Sequence, residues 1–315
     1  MSTIELPAPF DPADGLLVRE PERAEPGYWV GCPSVLVAGE LTWLTYRQRR
    51  PRGDASDRGW RCAIAVSRDG IRFEDVWEVR KEHLDSPSME RFDLVWTDAG
   101  YELYLSYVDP ADNRWRIDVV SAPSPGAFDV DVRRPALTAA STATEGVKDP
   151  VVAAIGGETR LYASFAARAE GIGSAAHATA DIYNTGATTH PTGFAIADAT
   201  GGWAWQGTAV EVGAPGSWDA YQARLGAVAP VDGGFVGFYD GSASHEENYE
   251  ERLGIATSPD GRSWRRATTA GPWITGPGAS GSVRYVDVAV RDGRRSMYFE
   301  VTRPDGAHEL RVVPG

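Results

Sequence analysis

The sequence predicts an all-β fold, read as a single five-bladed β-propeller of four-stranded antiparallel blades spanning residues 1–315. Three observations predict it: a hairpin phrase written twice, a longer strand-and-turn unit that recurs five times around it, and a composition rich in turn formers. Residues 64–73 read Ile-Ala-Val-Ser-Arg-Asp-Gly-Ile-Arg-Phe, and residues 255–264 read Ile-Ala-Thr-Ser-Pro-Asp-Gly-Arg-Ser-Trp. Each is a short apolar strand, an Asp-Gly turn and an aromatic closing a second strand, which is hairpin chemistry. A unit repeated at long range in an otherwise non-repetitive chain points to a repeat architecture.

The units follow in order. In the first, Val35-Leu36-Val37 meets Gly39-Glu40, then Leu41 to Tyr46, a polar loop and the Ser67-Arg68-Asp69-Gly70 turn. The second runs Phe92 to Trp96, Ala99-Gly100, Tyr101 to Tyr107, then Trp115 to Ser121 and Phe128. The third is Pro150-Val151-Val152, Gly156-Gly157, Leu161 to Phe165, a long insert, then Gly193 to Ala197 and Trp203. The fourth is Leu225 to Ala229, Gly233-Gly234, Phe235 to Tyr239, then Gly254 to Ser258 and Trp264. The fifth is Tyr285 to Val290, Asp292-Gly293, Met297 to Val301 and His308 to Val313. The units start about 57 to 76 residues apart, longer than the roughly 40–50 of WD40 or kelch blades. About four strands in each predict blades near 29–80, 81–135, 145–210, 217–270 and 279–313. The last unit lacks a fourth strand, and the segment around Leu16-Leu17-Val18 is expected to supply it and close the ring.

Thirty-five Gly, 21 Pro and no 3.6-residue apolar stripe agree with an all-β chain full of turns. The net charge of −13 argues against nucleic acid and anionic membrane as partners. The basic run Arg47 to Arg52 is read as a solvated loop beside Asp54 and Asp57. No stretch of about 18 apolar residues is present. The start Met-Ser-Thr-Ile-Glu-Leu has neither the charged nor the apolar region of a leader, so a cytoplasmic protein is expected. Cys32 and Cys62 are expected as buried free thiols. Eleven Trp and 12 Tyr serve packing between blades and, more weakly, suggest flat faces for sugars.

In a propeller the innermost strands line the axis, so the residues that open them converge on one mouth of the channel. Those five openings read Cys32-Pro33-Ser34, Glu90-Arg91-Phe92-Asp93, Lys148-Asp149-Pro150, Asp219 to Arg224, and Ser282 to Asp287. Four carry a carboxylate and three of those also carry Arg. Such a set suits a hydroxyl-rich or anionic ligand and carboxylate chemistry.

Lys148-Asp149-Pro150-Val151-Val152 before a Gly turn and an aromatic strand resembles the Asp-Pro-x-Val/Ile blade opening of the five-bladed glycoside hydrolases. That group includes families 43, 62, 32/68, 117 and 130. Tyr239-Asp240-Gly241 with Gly254 to Gly261 is similar to it, as is Phe299-Glu300 with Asp305 to Arg311. The resemblance implies a base or nucleophile from the first blade, an assisting Asp and a Glu general acid, the pair flanking the glycosidic bond. The first-blade position that would be Asp-Pro here reads Cys32-Pro33, and no Glu-Gly-Pro-like acid motif occurs.

Only Asp149 matches the family's pattern directly; it is expected as assisting carboxylate, with Glu90 as the substitute general acid and Asp219, with Asp287 as the other candidate, as base. Substrate contacts are expected from Arg91, Tyr221, Arg224, Asp240, Arg284, Tyr285, Asp287, Glu300 and His308. Asp219, Tyr221 and Arg224 are expected on one face of the fourth inner strand, whereas Arg284 and Asp287, three apart, share a face only across a bulge. The acidic stretch Ser244 to Arg252 is either a solvated loop or one folded over the channel mouth, and residues 168–192 form a rim loop. No cofactor is expected; a calcium or sodium ion in the channel follows from the resemblance alone.

The leading reading is a glycoside hydrolase on a small-molecule or oligosaccharide substrate. Alternatives are a glycoside phosphorylase, suggested by three arginines near the mouth, a carbohydrate-binding propeller without turnover, and a protein-interaction scaffold using its loops.

Overall fold

The structure, a computed structural model, describes residues 4–54 and 56–315. The first three residues of the N-terminal stretch, part of the reading on targeting, lie outside the described residues. Among the described residues there are 20 strands, a single four-residue α-helix and a few short 3-10 turns.

The strands group as the repeat predicts. β1 (Leu16–Arg19) precedes the first set, β2 (Trp29–Ala38), β3 (Leu41–Arg50), β4 (Arg58–Ser67) and β5 (Glu74–Arg80). The second is β6 (Met89–Thr97), β7 (Gly100–Val108), β8 (Trp115–Ala122) and β9 (Arg134–Leu137). The third is β10 (Gly146–Ile155), β11 (Glu158–Ala166), β12 (Thr192–Ala197) and β13 (Trp203–Val210). The fourth is β14 (Gln222–Val231), β15 (Gly234–Ser242), β16 (Arg252–Ser258) and β17 (Arg265–Arg266), and the last is β18 (Val283–Arg291), β19 (Arg294–Thr302) and β20 (His308–Val313).

The second, third and fourth sets are separate four-stranded antiparallel sheets. The first and last share an eight-stranded sheet, joined among the described residues by a parallel pairing of Trp29 with His308. β1 lies antiparallel beside β20, with Leu16 opposite Val312, and so gives the last set a fourth strand. The segment expected for that strand is the one that supplies it.

The hairpin phrase works through its side chains. At Ser67-Arg68-Asp69-Gly70 the Ser67 hydroxyl accepts from Gly70 N at 2.9 Å, and Asp69 Oδ1 accepts from Ile71 N and Arg72 N. Ser258 and Asp260 repeat this on Gly261 N, Arg262 N and Ser263 N. The glycines take φ of 73° and 68°, the left-handed region that such turns require.

Apolar side chains fill the spaces between neighbouring sheets. Ile64, Val79, Met89, Leu94 and Leu103 join the first to the second, and Val236, Ile255, Val286 and Phe299 join the fourth to the last. Aromatic pairs such as Tyr104–Trp203 and Tyr162–Trp264 cross the same seams edge to face.

The opening strands β2, β6, β10, β14 and β18 each form an edge of their set and pack against one another in that cyclic order. Each carries a register shift near its start, between Gly31 and Ser34, Met89 and Phe92, Lys148 and Val151, Leu225 and Ala227, and Arg284 and Asp287. A bulge re-aims the side chain at that point. Three of the bulged residues pass through the left-handed region although none is glycine: Cys32 (φ 54°), Asp149 (φ 59°) and Tyr285 (φ 53°). Each such residue costs of order 1–3 kcal/mol and persists where the surroundings over-determine it, commonly at functional sites.

Candidate functional site

The bulges turn Cys32, Glu90, Asp149 and Tyr285 toward one another, where they meet arginines and carboxylates of the first and second strands. Glu90 Oε2 accepts from Arg47 Nη1 at 2.8 Å and from the Tyr285 hydroxyl at 3.1 Å, and the Cys32 thiol lies 3.5 Å away. Arg224 gives Nε and Nη2 to Asp240 Oδ2 at 3.1 and 2.8 Å, and its Nη1 reaches the Tyr285 oxygen at 3.0 Å and Asp149 Oδ2 at 3.4 Å. Glu300 accepts from Arg284 Nη2 at 2.6 Å, from Arg47 Nη2 at 3.3 Å and from Cys32 N at 3.1 Å, with His308 Nδ1 at 2.7 Å. Arg284 Nη1 also donates to Glu251 Oε2 at 2.8 Å. The Tyr285 ring lies under Arg224, whose guanidinium carbon is 3.8 Å from its centroid.

Arg47, Arg49, Lys148, Arg224 and Arg284 thus face Glu90, Asp149, Asp240, Glu251 and Glu300, and every one of them is buried. Buried ions persist only when paired and hydrogen-bonded, and here cations and anions balance.

The balance divides the carboxyls. Burial alone would raise Glu90, but the charges of Arg47, Lys148 and Arg49 outweigh it and hold the group well below the usual carboxylate range. Glu300 is held down in the same way against its burial, chiefly by Arg284, and Glu251 sits at about 2 through Arg224 and Arg284. Asp240 goes the other way, to about 6, because burial and the nearby Glu251 exceed the pull of Arg224. Burial pushes the Cys32 thiol and the Tyr285 phenol well up.

Two loops roof this cluster. The insert after β11 carries Asp181, Tyr183 and Asn184, and the acidic stretch before β16 carries Asn248, Tyr249, Glu250 and Glu251. Asn248 Nδ2 donates to Tyr183 O at 3.3 Å and to Asn184, and the Tyr249 hydroxyl bonds Asp181 at 3.1 Å. Tyr249 also packs on Trp29 at 5.1 Å and under Arg49 at 4.3 Å. The acidic stretch shares features of both readings: His245 and Glu246 are exposed, while Asn248 and Glu251 are buried against the insert and the cluster.

Among the predicted residues, Glu90, Asp149, Arg224, Asp240, Arg284, Tyr285, Glu300 and His308 come together. His308 stacks on Trp29 at 4.5 Å and also faces Glu250 and Thr302. Arg91 and Asp287 lie apart from the cluster, paired with each other at 3.1 Å, and Asp287 is raised to about 6 by burial and Asp93 against Arg91. Across the bulge the two residues take different partners, Arg284 pairing with Glu251 and Glu300 and Asp287 with Arg91.

Asp219 corrects the expected base. It is bound by Ser217 at 2.9 Å, Tyr239 at 2.7 Å and Arg266 of the outer strand β17 at 2.6 Å, and it anchors the fourth sheet instead of facing the axis. Tyr221 holds Tyr183 O of the insert at 2.8 Å. Asp219 and Tyr221 precede β14, so they share no strand face with Arg224. Glu90, expected as general acid, is paired with Arg47 and Arg49, whose charges pull its carboxyl below the usual range against its burial. The basic run is corrected too: Arg47 and Arg49 are buried in β3 and point two residues apart onto Glu90, a period-2 signal present in the sequence. Glu251, Lys148 and Asp181 had no such signal. Among the described residues no group of three His, Cys, Asp or Glu is placed to hold a metal. Both cysteines are buried and unpaired.

No family model and no curated protein matches the sequence. Solved structures do. BT0996, in its complex with RGII, superposes with a TM-score of 0.70 at 13% identity, covering 96% of this protein and 90% of that one. The GH43_1 enzyme from Xanthomonas citri gives 0.62 at 14% identity, over 95% and 90% of the two proteins. The β-1,2-mannobiose phosphorylase from Listeria innocua gives 0.62 at 12%, over 92% and 89%. Identities this low make the likeness one of fold, a β-propeller shared along nearly the whole length.

Proposed function

We propose that the axial cluster is the catalytic centre of a carbohydrate-active enzyme, a glycoside hydrolase working by carboxylate chemistry. The observation that carries the reading is a pair of buried carboxyls, Glu90 and Asp240, joined by one hydrogen-bonded bridge through Tyr285 and Arg224, with surroundings that push their pKa values in opposite directions. Glu90 is held ionised, Asp240 holds its proton up to about 6, and Tyr285 and Arg224 link them. Glycoside hydrolysis needs that division: an acid to protonate the leaving oxygen and a carboxylate to act as base or nucleophile. Asp240 takes the acid role, Glu90 the carboxylate role, and Asp149 orients Arg224. Fold supports the reading by analogy, since the structures of this shape include a β-xylosidase and family-43 glycoside hydrolases.

The same reading takes the five sets as five blades closed by β1 on β20, supported by the cyclic packing of the opening strands. Substrate then enters the mouth under the roof, so the two loops must part during turnover. Water is favoured over phosphate as the second substrate, because Arg47, Arg224 and Arg284 are each engaged by carboxylates. Two buried thiols suit the reducing cytoplasm.

A second reading, sugar binding without turnover, is favoured by one observation: a thiol, Cys32, stands where the resemblance puts a carboxylate. Turnover of aryl glycosides and oligosaccharides, with and without phosphate, by the wild type, Asp149→Asn and Asp240→Asn separates the two. Activity lost in both variants supports the hydrolase. Sugar-induced stabilisation without any turnover supports the binding protein.

A further inference from the structure

Lys148 opens the third inner strand and is 4% exposed. Its ammonium carries three N–H donors, yet among the described residues it makes no hydrogen bond. The nearest acceptor, Asp149 Oδ2, is 3.8 Å away, beyond hydrogen-bond reach. The rings of Tyr183 and Trp115, at 4.5 and 5.0 Å, hold the ammonium in place by their faces. Such a cation is unexpected in a cluster where each arginine makes hydrogen bonds to a carboxylate.

Other unspent groups lie on its cross-strand partner, on the far side of the Tyr183 ring and on the strand next to that. Ser164 is the cross-strand partner of Lys148, so its side chain shares that face, and its hydroxyl is buried without a partner. His190 stacks on Tyr183 at 4.1 Å and leaves Nδ1 unpartnered, while its Nε2 is 2.9 Å from the Thr188 hydroxyl. Gln222, bridged to His190, leaves its Oε1 unpartnered. Buried polar atoms are nearly always satisfied, so several together mark a place where something else completes the bonding.

We propose that Lys148 and Asp149 form a hydroxyl-binding pair for a neutral polyhydroxyl ring, with Ser164, His190 and Gln222 meeting its neighbouring hydroxyls. One hydroxyl oxygen between the two accepts from the ammonium and donates to the carboxylate, which a 3.8 Å gap admits and a direct bond would preclude. An anionic group there would face Asp149 at close range, so the site selects neutral sugars. The pair belongs to the axial cluster and rests on the carbohydrate reading above.

The test is ligand-induced thermal stabilisation and calorimetry with D-xylose, L-arabinose, D-galactose, D-mannose, D-glucose and myo-inositol, and with inorganic phosphate and sulfate as anion controls. The wild type, Lys148→Met, Lys148→Arg and Ser164→Ala are compared, each checked for native near-UV circular dichroism. At least one sugar binds the wild type, Lys148→Met weakens it on the order of tenfold or more, and Ser164→Ala weakens it less. Equal binding by the wild type and by both the Lys148→Met and Ser164→Ala variants overturns the pair and leaves the hydrolase reading standing. Binding of phosphate or sulfate in place of sugars, or of nothing, overturns it also. Sugar binding that depends on Lys148 without turnover of any glycoside upholds the pair and sinks the hydrolytic reading, so the two fail separately.

Discussion

The Tyr285 hydroxyl donates to Glu90 Oε2 at 3.1 Å while accepting from Arg224 Nη1 at 3.0 Å. Tyr285 and Glu90 come from strands β18 and β6, 195 residues apart. One phenol therefore couples the ionised carboxylate to the arginine that holds Asp240, and a left-handed backbone at Tyr285 aims it there. The backbone amide of Tyr285 also donates to Asp240 Oδ1 at 3.0 Å, so the residue touches both carboxyls.

Tyr285→Phe keeps the ring and its contact with Arg224 but deletes the bridge. The expected loss of stability is about 1–3 kcal/mol, the usual effect of orphaning a buried partner. On the hydrolase reading kcat falls on the order of tenfold or more while KM changes little, because Glu90 loses its orientation. Steady-state kinetics and a chemical denaturation curve check both, and an unchanged kcat would remove Tyr285 from the mechanism.

The shifted carboxyls give activity and stability different pH limits. An acid that works with its proton on predicts an alkaline limb near pH 6, set by Asp240, and Asp240→Asn should abolish both the limb and most of kcat. In stability, a carboxyl raised to about 6 binds more protons folded than unfolded, so its contribution is present below the ordinary carboxylate range and lost as pH rises through 6. Glu251 at about 2, with Glu90 and Glu300 also lowered, acts oppositely: their contribution is present above about 4.5 and lost as pH falls. Urea midpoints measured from pH 3 to 8 should therefore peak near pH 4.5, where the gain from the lowered carboxyls is nearly complete and the loss from the raised pair is beginning. A midpoint that kept rising to pH 8 would contradict the raised pair.

Cys32→Asp restores the side chain that the resemblance expects. The new carboxylate would be buried beside Glu90 and Glu300 with no added cation, and burying an unpaired charge costs about 3–5 kcal/mol. A marked drop in thermal midpoint is expected, with Cys32→Ser close to wild type. If Cys32→Asp instead kept full stability and gained activity, the present charge balance would not be the reason for the thiol.

The roof should open locally before the sheets do. Asn248→Ala with Tyr249→Ala removes the bonds to Tyr183, Asn184 and Asp181 and the packing on Trp29. Hydrogen exchange in residues 181–190 and 244–251 should quicken on the order of tenfold while β10 and β14 stay protected. Exchange that quickened equally in all sheets would show the loops to be part of the global fold and not a separate cover.

The repeats, the turn chemistry and the Leu16–Arg19 strand were legible because they obey local rules. Ser67-Arg68-Asp69-Gly70 and Ser258-Pro259-Asp260-Gly261 carry their own hydrogen-bond partners, and strand alternation is written residue by residue. The convergence of Glu90, Asp149, Arg224 and Arg284 followed from the repeat as well, since equivalent positions in cyclic units meet. Only the tertiary structure decided what each group does there. Asp219 and Asp240 look alike in sequence, yet one is tied to Arg266 at the outer strand and the other is buried between Arg224 and Glu251. Protonation and exposure depend on the summed field and desolvation from residues as far apart as Cys32 and Glu300. Local pattern fixes where the backbone runs, whereas charge and burial are properties of neighbours that only the closed fold assembles.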